Sequence, residues 1–241
     1  MKKYFLATIS ALALLGGSAS AADLIPEVKA APVFYNWSGF YVGADIGTAW
    51  ASYNADDRFD ASFSTSYQAF GVLAGVHGGW NYQTGPLVFG VEGNLDYTNV
   101  RGSAAVVNEI GANIPGPSSA NLFSRVDWIA TFVGRGGITS GPVLYYLLGG
   151  IALNNTEHIA EVTPSIVNGG FAEQTIRTSR SGYVLGAGAE FAVWQNFSAK
   201  LEYNYMDFGR ISMSSPAVQG QPFYLDQQVH VLKLGLSYLF H

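Results

Sequence analysis

The sequence predicts an all-β fold, an eight-stranded antiparallel up-and-down transmembrane β-barrel, and three observations carry that expectation. Eight segments alternate large apolar residues with small or polar ones, the two-residue period of a strand. The connections between them alternate short and long, as the two ends of a membrane barrel do. Charge is scarce. Asp, Glu, Lys and Arg make up 12% of the 241 residues, against roughly a quarter in soluble domains, while hydrophobic residues reach 49% and aromatic residues 14%. The same composition excludes several classes of function. With no cysteine there is no disulfide framework and no Cys-based zinc site. A formal net charge of -5 is the wrong sign for a nucleic-acid surface. The chain is also too apolar and aromatic to stay disordered.

Residues 1–21 have the layout of a secretory signal peptide. Lys2 and Lys3 form the basic start, an apolar run follows from Tyr4 to Leu15, and Ala19-Ser20-Ala21 supplies the small residues of a cleavage site. The run is about a dozen residues, short of the ~20 that a membrane-spanning helix needs. Its removal leaves 10 basic and 17 acidic residues. Residues 22–36, with Pro26 and Pro32, read as an extended lead-in, and 37–241 as the barrel. The most apolar later stretch, 143–153, is too short for a helical span and contains Gly149 and Gly150. A closed barrel is then the remaining way to satisfy the backbone in lipid.

From Trp37 the strands follow in order. In the first, Phe40, Val42, Ala44, Ile46, Thr48 and Trp50 share one face, and Tyr41, Gly43, Asp45, Gly47 and Ala49 the other. The second runs roughly over 67–82 and the third over 87–99, where Leu87, Phe89, Val91, Leu95 and Tyr97 oppose Gly90, Glu92, Asn94, Asp96 and Thr98. The fourth covers about 122–138, with Val126, Trp128, Ala130 and Phe132 opposite Asp127, Thr131 and Arg135. The fifth, 143–153, has no clear alternation in its VLYYLL core. The sixth (181–193), seventh (197–208) and eighth (228–240) alternate plainly, with Glu190, Lys200, Glu202 and Lys233 on their small-residue faces. Short connections fall at 83–86, 139–142 and 194–196. Long ones at 54–66, 100–121, 154–180 and 209–227 are rich in Ser, Asn, Asp, Gly and Pro.

Which face is inside follows from the glycines and the aromatics. Glycine on the small-residue face suits the tight interior of an eight-stranded barrel and would weaken a soluble sheet surface. Trp80, Tyr82, Phe89, Phe197, Tyr238 and Phe240 lie near the short turns, and Trp50, Tyr97, Tyr203 and Tyr205 near the long loops. Two aromatic girdles around an apolar band are what two membrane interfaces select. The small-residue face is therefore the lumen, and the strand charges gather there: Asp45, Glu92, Asp96, Asp127, Arg135, Glu190, Lys200, Glu202 and Lys233. Their depths overlap, which predicts a mutually neutralising plug, because buried charges must be paired. An ion-selective constriction is the alternative reading of the same residues.

Four stretches carry a family resemblance. They are Trp37-Ser38-Gly39-Phe40-Tyr41-Val42-Gly43, Gly79-Trp80-Asn81-Tyr82-Gln83, Lys200-Leu201-Glu202-Tyr203-Asn204-Tyr205-Met206-Asp207-Phe208-Gly209, and the run Val231 to Phe240. Together they resemble the alphaproteobacterial 25/31-kDa outer-membrane immunogenic, porin-like family. The resemblance implies a surface-exposed barrel of the Gram-negative outer membrane with a structural, envelope-integrity and surface-interaction role. Some members are described as porins and some as haemin-binding proteins, so a narrow porin and a receptor working through extracellular loops are the alternatives. Expected partners are outer-membrane lipids and lipopolysaccharide, the barrel-assembly machinery during biogenesis, and an extracellular ligand at the loops. The chain departs from the family in placing His241 after the terminal aromatic, Phe240.

The residues offer little other chemistry. No enzyme, cofactor or metal site is expected, because the four histidines (77, 158, 230, 241) are scattered. His77 is placed in the lumen and His230 on the lipid side near the loops. By family analogy, His158 and Tyr224, in two different long loops, are the candidate axial ligands for haemin. Glycines in GVLAGVHGG and GAGAE recur at lumen spacing and make no phosphate loop.

Overall fold

Alternation with period two becomes a single closed ladder. The computed structural model describes residues 35–56, 64–107, 119–163, 172–214 and 222–240. The expected signal peptide, most of the lead-in and His241 lie outside them. Eight strands run β1 (Gly39–Asp56), β2 (Ser64–Thr84), β3 (Leu87–Val107), β4 (Ser119–Ser140), β5 (Val143–Thr163), β6 (Ala172–Ala192), β7 (Phe197–Ser214) and β8 (Pro222–Phe240). Each pairs antiparallel with its sequence neighbours, and β1 pairs with β8 from Phe40 opposite Phe240 up to Asp56 opposite Tyr224. Closure leaves no sheet edge, which is the condition for strands in lipid.

Two of the short turns are Gly85-Pro86 and Gly141-Pro142, with φ of 58° and 59° at the glycines. A glycine at the first central position of a two-residue hairpin supplies the positive φ that matches strand twist. The third connection closes by Phe197 N–H to the Trp194 carbonyl at 3.3 Å and Val193 N–H to the Phe197 carbonyl at 2.8 Å.

At the other end the strands exceed the sequence expectation. They are 18 to 22 residues long, against the roughly 9–11 that span a bilayer. Much of what alternation assigned to long loops is ladder: β3 continues to Val107, β5 to Thr163, and β6 begins at Ala172. Beyond the membrane both faces meet water, so the hydrophobic period fades while the backbone pairing goes on.

Side-chain placement follows the expected parity, with one systematic exception. Ile46, Phe132, Leu147, Leu185 and Leu236 are among the large apolar residues left exposed on the outer wall. Asp45, Glu92, Arg135, Glu190, Lys200 and Lys233 are buried inside. In β5 the ambiguous core resolves to Leu144, Tyr146 and Leu148 inward and Tyr145 and Leu147 outward. The exception lies at the ladder irregularities between Val126 and Trp128 in β4 and between Asp207 and Arg210 in β7, where an extra residue reverses the alternation, whereas β3 keeps its parity through the irregularity between Tyr97 and Val100. Val126, grouped with Trp128 by simple parity, is buried inside the barrel.

The outward parity makes a depth-dependent expectation. Leu147 is the fifth residue of β5 and Leu153 the eleventh. Leu147→Arg should destabilise the barrel by about 2–4 kcal/mol, and Leu153→Arg, nearer the interface, by about 0–1 kcal/mol. Urea unfolding in phospholipid vesicles measures both.

Candidate functional site

An eight-stranded barrel leaves an interior just wide enough for side chains. Here that interior is filled at three levels. At the short-turn end, Trp37 is fully buried across the mouth. Its backbone N–H donates to Gln83 Oε1 at 2.7 Å, and its indole N–H donates to Thr139 Oγ1 at 3.2 Å. Tyr35 packs edge-on against it with ring centroids 4.8 Å apart, and donates its hydroxyl to the Gln195 carbonyl.

The middle level is built around Arg135 of β4. Its Nη1 donates to Glu92 Oε2 at 3.1 Å, its Nη2 to Glu190 Oε2 at 2.9 Å, and its Nε to Asn81 Oδ1 at 3.1 Å. The guanidinium also lies over two rings, 4.9 Å from the Tyr41 centroid and 4.7 Å from that of Tyr146. The two phenols complete the carboxylates: Tyr41 donates to Glu92 at 2.8 Å and Tyr146 to Glu202 at 2.7 Å. Ser198 donates to the second oxygen of Glu190.

Two lysines extend this level across the lumen. Lys200 Nζ lies 3.0 Å from Glu92, 3.5 Å from Asp45 and 3.9 Å from Glu202. Lys233 Nζ lies 3.4 Å from Asp96 and 3.7 Å from Glu202. None of the eight charged residues of this cluster is more than 5% exposed. The room for them comes from glycine. A Cβ on Gly235 would collide with Asp45 Oδ1 and the Lys200 methylenes, and one on Gly43 with the His77 ring.

The third level lies toward the loops. Gln227 Nε2 donates to Tyr53 Oη at 3.2 Å, and Arg180 Nη1 donates to Gln227 Oε1 at 2.9 Å. Arg180 Nη2 donates to the carbonyls of Phe208 and Gly209. These residues come from the consecutive strands β6, β7, β8 and β1, and the buried Asn154 of β5, whose Nδ2 donates to Gln227 Oε1 at 3.4 Å, carries the chain to the wall opposite β1.

The structure thus brings together Asp45, Glu92, Asp96, Arg135, Glu190, Lys200, Glu202 and Lys233. Asp127 is not among them, which corrects its sequence-based placement. It sits at the β4 irregularity, where Arg125 Nε donates to Asp127 Oδ1 at 2.6 Å, and its side chain is 28% exposed. His158 and Tyr224, expected in loops, have their backbones in β5 and β8, and their side chains lie outside the described residues.

Sequence reasoning missed one arrangement. His77 Nδ1 lies 2.7 Å from Asp45 Oδ2, and His77 Nε2 lies 2.8 Å from Ser237 Oγ. With Asp45 ionised it accepts from Nδ1, and the neutral ring then accepts the Ser237 hydroxyl. This is the connectivity of an acid, a base and a nucleophile. Asn94 donates to the same Asp45 oxygen at 2.9 Å. Ser237 is 1% exposed and His77 4%, so an acyl substrate has no path to the hydroxyl in this conformation. His230, by contrast, lies on the outer wall as expected. It stacks 5.5 Å from Trp50 with an interplanar angle of 10°, and its Nδ1 is 2.7 Å from the Tyr203 hydroxyl.

Comparison with known proteins places this geometry in a group. The family model described as "Outer membrane protein beta-barrel domain" matches residues 9–240. The 31 kDa outer-membrane immunogenic protein of Brucella melitensis is 28% identical over the whole of both chains. The 22 kDa outer membrane protein of Rhizobium leguminosarum bv. viciae is 30% identical over 72% of this chain and 65% of its own. Among solved structures, the outer membrane protein OprG of Pseudomonas aeruginosa superposes with a TM-score of 0.50 at 14% identity, covering 85% of this chain and 97% of its own, a likeness of fold.

The network makes a stability prediction. Arg135→Ala leaves Glu92 and Glu190 buried without their shared cation, and should cost about 3–5 kcal/mol in urea unfolding. Arg135→Met combined with Glu190→Gln should be less damaging than Arg135→Ala alone, since it removes charge from both sides.

Proposed function

Because the chain belongs to the outer membrane protein β-barrel domain family, we propose that this outer-membrane barrel serves envelope integrity and surface interaction rather than solute passage or catalysis. The observation that supports this reading is the filled lumen. Three successive levels of buried side chains cross it, and the charged groups of the middle one are almost wholly buried. Solute flux needs a continuous hydrated path, and an eight-stranded barrel gains one only by displacing side chains. Its partners in this reading are outer-membrane lipids and lipopolysaccharide along the wall, the assembly machinery during insertion, and an extracellular ligand at the loops.

Planar-bilayer recording of the refolded protein tests the sealed-barrel reading. We expect no stable unit conductance from the native chain. A steady open pore that Arg135→Ala leaves unchanged would overturn the reading in favour of a narrow porin.

The non-enzymatic reading has its own test in the buried Ser237. A fluorophosphonate probe should leave the native barrel unlabelled. Labelling that disappears in Ser237→Ala would reverse that conclusion.

A further inference from the structure

The outer wall carries a charged feature that the lumen does not explain. The ladder register sets Arg101 of β3 opposite Arg125 of β4, Arg125 opposite Glu157 of β5, and Glu157 opposite Arg177 of β6. Arg101, Arg125 and Glu157 point outward, since the adjoining Val100, Val126 and Thr156 are buried inside and successive residues alternate faces, and the Arg177 side chain is itself 75% exposed. Arg177 Nε donates to Glu157 Oε1 at 3.2 Å, Arg125 Nη2 is 3.9 Å from Glu157, and Arg125 Nε is taken by Asp127. Arg101 has no ion pair among the described residues. Like charges directly opposite each other on neighbouring strands repel. Arg101 facing Arg125 therefore leaves a place for an anion that the described residues do not supply.

The position of the row says where that anion comes from. Tyr97 and Trp128 pair in the upper aromatic girdle. Arg101 lies four residues further along. At ~3.4 Å per residue and a tilt of roughly 40° that is about 10 Å above the girdle, at the outer edge of a headgroup layer roughly 5–8 Å deep, and the long arginine stem reaches back into it. Below the row the wall is apolar, with Tyr97, Leu153 and Tyr183 exposed toward lipid. Guanidiniums above an acyl-facing wall match a ligand that carries phosphate at its head and hydrocarbon beneath. The planar fork of arginine binds phosphate oxygens in pairs.

We propose that Arg101, Arg125 and Arg177 form a binding row for the headgroup phosphates of an outer-leaflet glycolipid of the lipopolysaccharide type. The inference rests on the outer-membrane placement and is independent of whether the lumen conducts. Arg210 on β7 provides an internal contrast. It engages Asp226 through Nη2 at 2.7 Å and Nε at 3.1 Å, and that hydrogen bonding holds the Asp226 carboxyl below its ordinary range.

The test titrates the refolded protein in a neutral detergent with phosphorylated lipid A, with dephosphorylated lipid A and with inorganic phosphate. Phosphorylated lipid A should bind, and the triple variant Arg101→Gln, Arg125→Gln, Arg177→Gln should weaken it at least about tenfold, while Arg210→Gln leaves it unchanged. Heat-modifiable gel migration shows that each variant is folded. If the triple variant fails to fold, Arg101→Gln, which breaks no ion pair among the described residues, carries the test and should also weaken binding. Equal binding of dephosphorylated lipid A, displacement by inorganic phosphate at the same concentration as the lipid, or undiminished binding by the variants would overturn the site. So would a loss of stability in Arg101→Gln measured in detergent without any lipid, because a carboxylate of the protein would then be the anion.

Discussion

Arg135 lies where two carboxylates and two aromatic rings converge, and the rest of the interior is arranged to make that position tolerable. Removing a guanidinium from water is costly unless its donors are met and its charge is balanced. Glu92, Glu190 and Asn81 meet the donors, and Tyr41 and Tyr146 cover the two faces. The carboxylates then need their own remaining oxygens satisfied, which brings in Lys200 for Glu92 and Ser198 for Glu190. Lys200 in turn borders Asp45 and Glu202, and so the network spreads around the wall until it reaches Lys233 and Asp96. Side chains this long fit a lumen this narrow only because neighbouring positions such as Gly235 and Gly43 have no Cβ.

The same residue types behave differently on the two surfaces. Inside, arginine and lysine are locked among several acceptors and exclude water. Outside and above the girdle, Arg101, Arg125 and Arg177 stand in a row along one rung of the ladder, partly exposed and incompletely neutralised. A strand alternates these two settings residue by residue, so Val100 packs the interior while Arg101 faces the headgroups. One period thus specifies both a closed core and an interactive wall.

Much of this was legible in the chain before any coordinates. Period-two alternation located seven strands and an apolar run after a short Gly-Pro turn the fifth, the glycine-bearing face identified the lumen, and eight of the nine charges assigned to it meet there. What parity could not reach were the places where parity itself breaks. Asp127 lies at an irregularity where one strand carries an extra residue, and no local sequence signal marks it. The strand extensions past the membrane were hidden because water on both faces removes the hydrophobic period. The Asp45–His77–Ser237 chain was invisible for another reason. Each residue has the lumen parity, but their meeting depends on the registers of β1 with β2 and with β8. Tyr146 escaped because VLYYLL is apolar on both faces, while Tyr41 carried the lumen parity without any hint that it would cradle a guanidinium.

The spread of the network along the chain bears on how the barrel is made. Arg135 reaches partners 43 and 55 residues away, Lys200 reaches Glu92 across 108, Lys233 reaches Asp96 across 137, and His77 meets Ser237 across 160. The last of these exists only once β8 has come round to β1. Until that seam zips, Asp45, His77 and both lysines lack part of their complement and must stay hydrated. Any intermediate with that seam open therefore keeps a wet interior, and closing the seam expels the water as it completes the charge pairing. Seam closure and interior drying become one cooperative event, so a barrel arrested one strand short would be both open-edged and water-filled.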